Sequence, residues 1–409
     1  MHTLKLAVKV LLRRKFFTFV SLFAVSFTLL VLLVATAILD GAFAARAPED
    51  RPQRTLVVTN AQAKGKNATR TGWAGYKLLT HTLPGLPGVE QETIFAGPRQ
   101  LTTYDEGRKL TCQARRTDGA YWRVFRFSFL EGGPYLPEDE AQANPVAVIN
   151  ATTRDRFFGG GPAVGKTFEL DGRRLRVVGV VPDVSSLRLL TYSDVWIPIS
   201  LSRSDAYKRE LVGDFGAAVL LSPGVKPEDV QAEFARRVAA MPINDPYFDT
   251  LKAPMDTLFG SMASTFLDQT AAGKSALAVT LIWIAALMFM GLPALNLVNL
   301  NLSRILERSS EIGVRKSFGA TSGALARQFL LENVILAVLG GVLAAILTAV
   351  VLAGLNRSGL IPYAQLSLNF RVLGWGLVLT LVFGVLSGVL PAWRMSRLQP
   401  VSALQGRFE

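Results

Sequence analysis

Four uncharged stretches constrain this chain more than any other feature. Residues 16–39, 275–303, 333–356 and 372–393 run 24, 29, 24 and 22 residues without an Asp, Glu, Lys or Arg. Each reaches or passes the ~20 residues that cross a bilayer as a helix, and backbone in lipid must satisfy its own amides, which a lone strand cannot do. The chain is therefore expected to be an integral membrane protein with four transmembrane α-helices. Its composition agrees, being 50% hydrophobic and only 18% charged, below the ~25% charged residues of soluble domains.

The first stretch has a basic flank, Lys5 to Lys15, and a small-residue site at Ala35-Thr36-Ala37. Its apolar core is nevertheless longer than the ~7–15 residues of a secretory signal, so it is expected to remain as an anchor. Charge then orients the spans. Residues 1–15 carry five Lys/Arg and no acid, residues 304–332 five against three, and residues 394–409 three against one, whereas the insertion 40–274 is nearly balanced at 29 against 27. The positive-inside rule places both termini in the cytoplasm and the 235-residue insertion outside. The net charge of +13 thus reflects topology and gives no reason to expect nucleic-acid binding.

The resulting segmentation is a cytoplasmic amphipathic helix at 1–15, a first span at 16–39, an external domain at 40–274 and a second span at 275–303. A cytoplasmic loop at 304–332, a third span at 333–356, an external loop at 357–371, a fourth span at 372–393 and a cytoplasmic tail at 394–409 complete it. Leu4, Val8, Leu11 and Leu12 face one way in the first segment while Lys5, Lys9 and Arg13 repeat every four residues. One cysteine, Cys112, allows no intrachain disulfide, so the external domain must be held by its own core, for which it is large enough.

Within that domain, 40–54 reads as a linker rich in Ala, Pro and charge. Strand-like runs follow at 55–59, 145–149, 175–181, 195–199 and 217–221. One helix is expected after the cap-competent Asn150, ending near Phe158, and another opens at Pro227, with Val230, Phe234 and Val238 on one face. Asp171-Gly172 is a tight hairpin turn. The external domain is accordingly expected to be α+β.

Few motifs suggest chemistry. Gly160 to Thr167 satisfies the phosphate-loop pattern GxxxxGK[ST], but a helix precedes it and a strand follows, the reverse of what a phosphate site on a helix N-terminus requires. The only histidines are His2 and His81, with no metal-ligand spacing and no partner for Cys112. No charge lies inside any span, which argues against an ion-coupled transporter. Asn296, Asn299 and Asn301, and the Gly384/Gly388 pair, are read as packing positions between helices.

The informative segment is the loop Glu307-Arg-Ser-Ser-Glu-Ile-Gly-Val-Arg-Lys-Ser-Phe-Gly-Ala320, followed by Arg327-Gln-Phe-Leu-Leu-Glu332. Ile312, Val314 and Phe318 form an apolar edge fringed by charge, and Gly313 and Gly319 permit close approach of a partner; the residues alone favour a solvated basic loop, since charged loops beside spans are common. The segment resembles the ER..EIG.RK..GA....R.FL.E pattern of the FtsX/MacB-type permeases of ABC transporters. Pro391-Ala-Trp-Arg394 with Pro400 and Ala403-Leu404 resembles that family's C-terminal pattern, although Gln399 stands where an acid is common. Phe125-Arg-Phe-Ser-Phe-Leu-Glu-Gly132, Val146 to Ile149, Arg156 to Gly159, Val164 to Phe168 and Val177 to Val181 resemble its MacB-like periplasmic core domain.

The resemblance implies a non-catalytic permease subunit in a bacterial cytoplasmic (inner) membrane. It implies that Glu307, Arg308, Glu311, Ile312, Gly313, Val314, Arg315, Lys316, Phe318 and Gly319 form a short coupling helix docked on a separate ABC ATPase subunit. No cofactor or metal would be bound directly; ATP and Mg would act through that partner. A second permease copy, identical or related, and a periplasmic adaptor or exit duct are the other implied partners. The expected activity is export or extraction of an amphiphilic substrate; the alternative is a non-transporting transmitter acting on an envelope protein such as a cell-wall hydrolase or sensor.

Overall fold

The computed structural model of the chain describes residues 13, 15–105, 108–243, 245–266 and 321–382, with 280, 284, 288 and 314 as single positions. It divides into two compact units: Met1–Asp40 with Trp283–Leu360 and Gln365–Glu409, and Gly41–Ile282 with Ile361–Ala364.

The first unit is helical. A 29-residue helix, Lys15–Phe43, and a 37-residue helix, Ser322–Ser358, are joined by a shorter apolar one, Phe370–Val382. Thr18–Phe43 and Leu331–Ser358 are long and apolar enough to cross a membrane, and they carry the first and third expected spans. The second, 275–303, lies outside the described residues except at 280, 284 and 288, and the fourth is described only through 382. Lipid gives helices no hydrophobic reason to associate, so close approach of small residues has to hold them. Here adjacent glycines do it. A Cβ on Gly340 would lie 2.6 Å from Val25 Cγ1 and 3.0 Å from Val25 Cβ, one on Gly341 would strike Leu377, and one on Gly376 would come within 2.8 Å of Leu29 Cδ2. Val25, Leu29 and Ala344 are buried at this crossing. Gly384 and Gly388, read as the packing pair, lie outside the described residues.

The second unit is α+β. Its described strands are β1 (Thr55–Val58), β2 (Ala61–Lys64), β3 (Thr69–Ala74), β4 (Val89–Ala96), β5 (Arg99–Asp105), β6 (Arg108–Thr117), β7 (Glu131–Gly132), β8 (Val146–Asn150), β9 (Thr167–Leu170) and β10 (Arg173–Val181). β11 (Val195–Pro198), β12 (Val212–Gly213), β13 (Phe215–Leu221), β14 (Thr250–Lys252) and β15 (Asp256–Thr257) follow. The main order is β14-β2-β3-β13-β4-β6-β11-β8-β10-β7. Pairing is antiparallel except for β6 with β11 and β8 with β10. Central strands buried on both faces should read as unbroken apolar runs; β8, β11 and β13 are buried at every residue. Helix Pro227–Ala239 covers one face with Val230, Phe234 and Val238. On another, Phe95, Tyr121, Trp122, Phe125, Tyr135 and Trp196 form an aromatic core, with edge-to-face contacts such as Trp122 on Tyr135 at 5.4 Å.

Local signals act as the sequence suggests. Asn150 caps helix Ala151–Phe158, its side-chain oxygen accepting from Thr153 N at 2.8 Å. Asp171 and Gly172 take φ of 54° and 73° between β9 and β10, the paired positive values of a tight hairpin. The phosphate-loop lookalike is structural: helix Ala151–Phe158 precedes it, β9 follows, and Lys166 places its ammonium 5.5 Å from the Phe158 ring centre. The segments resembling the periplasmic core meet around β10, where β7 pairs at Gly179↔Gly132 and β8 runs alongside. They build this sheet. Gly132, at φ 61°, is obligatory because a Cβ would strike the Val178 carbonyl.

The reading of 40–54 as a linker is corrected. The first helix continues to Phe43, and the residues beyond it are fastened to the α+β unit. Arg51 Nη2 donates to the Arg123 and Val124 carbonyls at 3.0 and 2.8 Å, Arg54 Nε donates to the Leu221 carbonyl at 2.9 Å, and Arg126 N donates to the Pro48 carbonyl at 3.0 Å. Charge that suggested solvation is used as guanidinium forks on backbone acceptors, the geometry arginine provides.

Candidate functional site

Of the expected coupling residues, Val314 alone is described, in helical conformation and 47% exposed. Glu307, Arg308, Glu311, Ile312, Gly313, Arg315, Lys316, Phe318 and Gly319 lie outside the described residues. The end of the motif is visible on helix Ser322–Ser358, where Gln328 Nε2 donates to Glu332 Oε1 at 3.1 Å and Glu332 and Asn333 are buried. Polar groups this deep at the start of an apolar helix are costly unless partnered.

A second constellation lies in the α+β unit, around the loop 184–194. Arg115 on β6, fully buried, holds that loop from below, donating to the carbonyls of Leu189 at 2.7 Å, Tyr192 at 3.1 Å and Ala96 at 3.0 Å. Glu49 enters from the stretch that follows the first helix. Thr191 Oγ1 donates to its carboxylate at 2.6 Å and the Arg188 guanidinium stands 3.6 Å away. Arg188 also donates to the Ala44 carbonyl at 3.0 Å. Burial pushes the Glu49 pKa up, against the opposing pull of Thr191 and Arg188.

Asp194 closes the loop and is itself buried. Its Oδ2 accepts from Gln113 N at 2.7 Å; its Oδ1 accepts from Tyr363 Oη at 2.6 Å and from Asn150 Nδ2 at 3.4 Å. Tyr363 belongs to Ile361–Ala364, the part of the connection after helix Ser322–Ser358 that is grouped with this unit. Burial raises the Tyr363 pKa further above its ordinary value, so the phenol stays a donor. No sequence signal marked Glu49, Arg188, Asp194 or Tyr363; lone polar residues from distant segments carry no pattern.

An open cavity of about 460 Å³ is lined by Glu90, Glu92, Asp118 and Arg123 among others. Two of its three acids are engaged: Glu90 pairs with Arg54, and Asp118 accepts from Thr93 Oγ1 and Ile94 N, both at 2.6 Å, and from Tyr121 N at 2.9 Å. Among the described residues no group of three His, Cys, Asp or Glu is placed to hold a metal, and Cys112 is buried, with its thiol pushed up to about 11 mainly by that burial.

Two apolar helices long enough to cross a membrane, one before and one after an α+β domain in the chain, are the arrangement of a membrane protein. Comparison with known families makes the assignment specific. Residues 18–237 match the MacB-like periplasmic core domain and residues 283–400 the FtsX-like permease C-terminal domain. The chain belongs to this family of ABC transporter permeases.

Among its relatives, the ABC transporter permease YknZ of Bacillus subtilis is 24% identical over 79% of this chain and 77% of its own length. The macrolide export ATP-binding/permease protein MacB of Hahella chejuensis is 27% identical over 69% of this chain, and the pyoverdine export ATP-binding/permease protein PvdT of Pseudomonas aeruginosa 29% identical over 69%. The chain spans only 41% and 40% of those two proteins. The periplasmic region of MacB from Actinobacillus actinomycetemcomitans aligns over 54% of this chain and 95% of its own, with TM-score 0.39 and 16% identity.

Proposed function

We propose that the chain is the membrane-spanning subunit of an ABC exporter, hydrolysing no ATP itself and working with a separate ATPase. The observation that carries this reading is the co-occurrence, in one chain, of the periplasmic core match at 18–237 and the permease match at 283–400, with the Glu307–Glu332 motif at the start of the second. Four spans place both termini and the loop 304–332 in the cytoplasm of a bacterial inner membrane and residues 40–274 outside. The helix at Glu307, Arg308 and Glu311 to Gly319 docks on the ATPase, which supplies ATP and Mg chemistry. Two permease copies, equal or related, pair with two ATPase subunits, whose closure moves the loop and, through the helices, the external domain.

Relatives named for macrolide export and for pyoverdine export support a transport role, with an amphiphilic molecule taken from the outer leaflet or periplasm as substrate and a periplasmic adaptor or exit duct as receiver. The absence of charge from the four apolar stretches supports a mechanical device over an ion-coupled path. The test is purification of the full chain from its native membrane in mild detergent, with identification of what accompanies it. Recovery of an ABC ATPase in near-equal amount is expected; an ATPase-free preparation retaining only an envelope hydrolase or sensor would sink the exporter reading.

A further inference from the structure

We infer that the external loop 184–194 is a joint that clasps two chain segments leaving the apolar helices: the stretch 44–49 beyond Lys15–Phe43, and the tip 361–364 beyond Ser322–Ser358. Each grip ends on a carboxylate of low exposure, Glu49 in one and Asp194 in the other, and both involve one short loop.

The tip is held in a conformation its own sequence does not favour. Tyr363 takes φ 55°, a region aromatic residues enter only when surroundings over-determine it. What determines it is the bond from its hydroxyl to buried Asp194 at 2.6 Å, its ring contact with Tyr192 at 6.3 Å, and the Ser186 N bond to the Pro362 carbonyl at 3.0 Å. The connection is also closed behind the tip. Asn356 Nδ2 donates to the Leu366 carbonyl and Leu366 N donates to Asn356 Oδ1, both at 2.9 Å. This reciprocal pair pins the last turn of the long helix to the returning chain, leaving a short closed loop with little slack.

The other arm reaches the same loop through Glu49, Thr191 and Arg188. The loop's footing is the sheet, since Arg115 holds Leu189 and Tyr192 and Gln113 holds Asp194. Neither segment can shift without dragging the loop or breaking a buried charge-assisted bond, and such bonds are the expensive ones to leave unmade. A displacement of either helix end is therefore delivered to β6 and to the start of helix Ala151–Phe158. This use rests on the coupling proposed above; the clasp itself requires no ATPase.

The test is hydrogen exchange on the full chain in lipid nanodiscs without nucleotide. Two amides report the two grips: Ser186, bonded to Pro362, and Arg126, bonded to Pro48 in the first segment. Tyr363→Phe removes one hydroxyl. It should raise exchange of the Ser186 peptide tenfold or more and of the Arg126 peptide severalfold, with β13 unchanged, and Glu49→Gln should loosen Ser186 in return. A change at Ser186 with none at Arg126, or no change at either, would overturn the inference. If β13 also loosens, the pair Ser186→Cys with Pro362→Cys decides: it should oxidise readily, and the disulfide should slow exchange at Arg126. Failure to cross-link, or cross-linking without that slowing, counts against the joint. An intact clasp in a chain that recruits no ATPase would leave this inference standing and the exporter reading fallen.

Discussion

Replacing Gly340 by alanine should break the crossing of the first and third apolar helices, and the geometry gives the size of the effect. The new methyl would sit 2.6 Å from Val25 Cγ1 and 3.0 Å from Val25 Cβ, where carbons prefer ~3.5–4.0 Å. Rotating Val25 relieves the first contact. The second is fixed by the backbone, so the helices must separate by roughly 0.5–1 Å, losing dispersion along the buried line of Val25, Leu29 and Ala344. Overpacking of this kind costs about 1–3 kcal/mol. Gly341 offers a contrast, because the obstacle there begins at the end of Leu377, a flexible side chain that can turn away; Gly341→Ala should cost less than Gly340→Ala. Adding Val25→Ala to Gly340→Ala should recover part of the loss, since two γ-methyls go while the Cβ remains. Reversible unfolding of the full chain in mixed detergent micelles measures the three variants against wild type. A Gly340→Ala protein within 0.5 kcal/mol of wild type by that assay, or a double variant with no recovery, would refute the reasoning.

Three further outcomes follow from other parts of the molecule. Lys252→Cys, exposed on β14, should react with an impermeant maleimide on intact cells and Ser309→Cys only after permeabilisation, with native Cys112 silent because it is buried; the opposite pattern would invert the topology. Burial raises Asp118 from 3.8 to about 7, so its folded state holds the proton more tightly, a contribution full below pH ~4 and lost as pH rises through about 7. The wild type minus Asp118→Asn difference in unfolding free energy should accordingly fall by about 1 kcal/mol per pH unit across that window, and a flat difference would remove the buried-acid account. Asn369 accepts from Arg371 N and Val372 N at 3.1 and 3.2 Å and donates to Asp40 Oδ2 at 2.5 Å. Asn369→Asp keeps the cap but sets two carboxylates together, so it should destabilise by on the order of 1 kcal/mol. Asp40→Asn should reverse that loss, and its failure to do so in a melting assay would separate the two residues.

Much of the sheet was legible because its central strands are buried on both faces. The runs expected at 55–59, 145–149, 175–181, 195–199 and 217–221 fall on β1, β8, β10, β11 and β13. The β5–β6 hairpin escaped because its Thr, Gln and Arg residues hide the alternation, and β2 and β3 because small and polar residues dominate them. The glycine pair expected at 384 and 388 lies outside the described residues, and the described crossing uses 340, 341 and 376; small residues abound in apolar helices, and only the partner decides which are needed. The motif at 307–332 was readable through resemblance, since its spacing alone also fits a solvated loop. The contacts of the proposed joint were not readable at all. Asp194 and Tyr363 stand 169 residues apart, and Glu49 and Thr191 142, so nothing but folding brings them into one cluster.

The proposed role of the loop 304–332 is to carry work from an ATPase to this chain. The most direct measurement is ATP hydrolysis by the complex purified with wild-type chain and with the double variant Glu311→Lys, Gly313→Trp, both in the same lipid nanodiscs. The account predicts that the variant is made and inserted normally yet loses its ATPase partner or leaves hydrolysis uncoupled from the permease. Equal recovery of the ATPase with equal, permease-dependent hydrolysis in both proteins would contradict it.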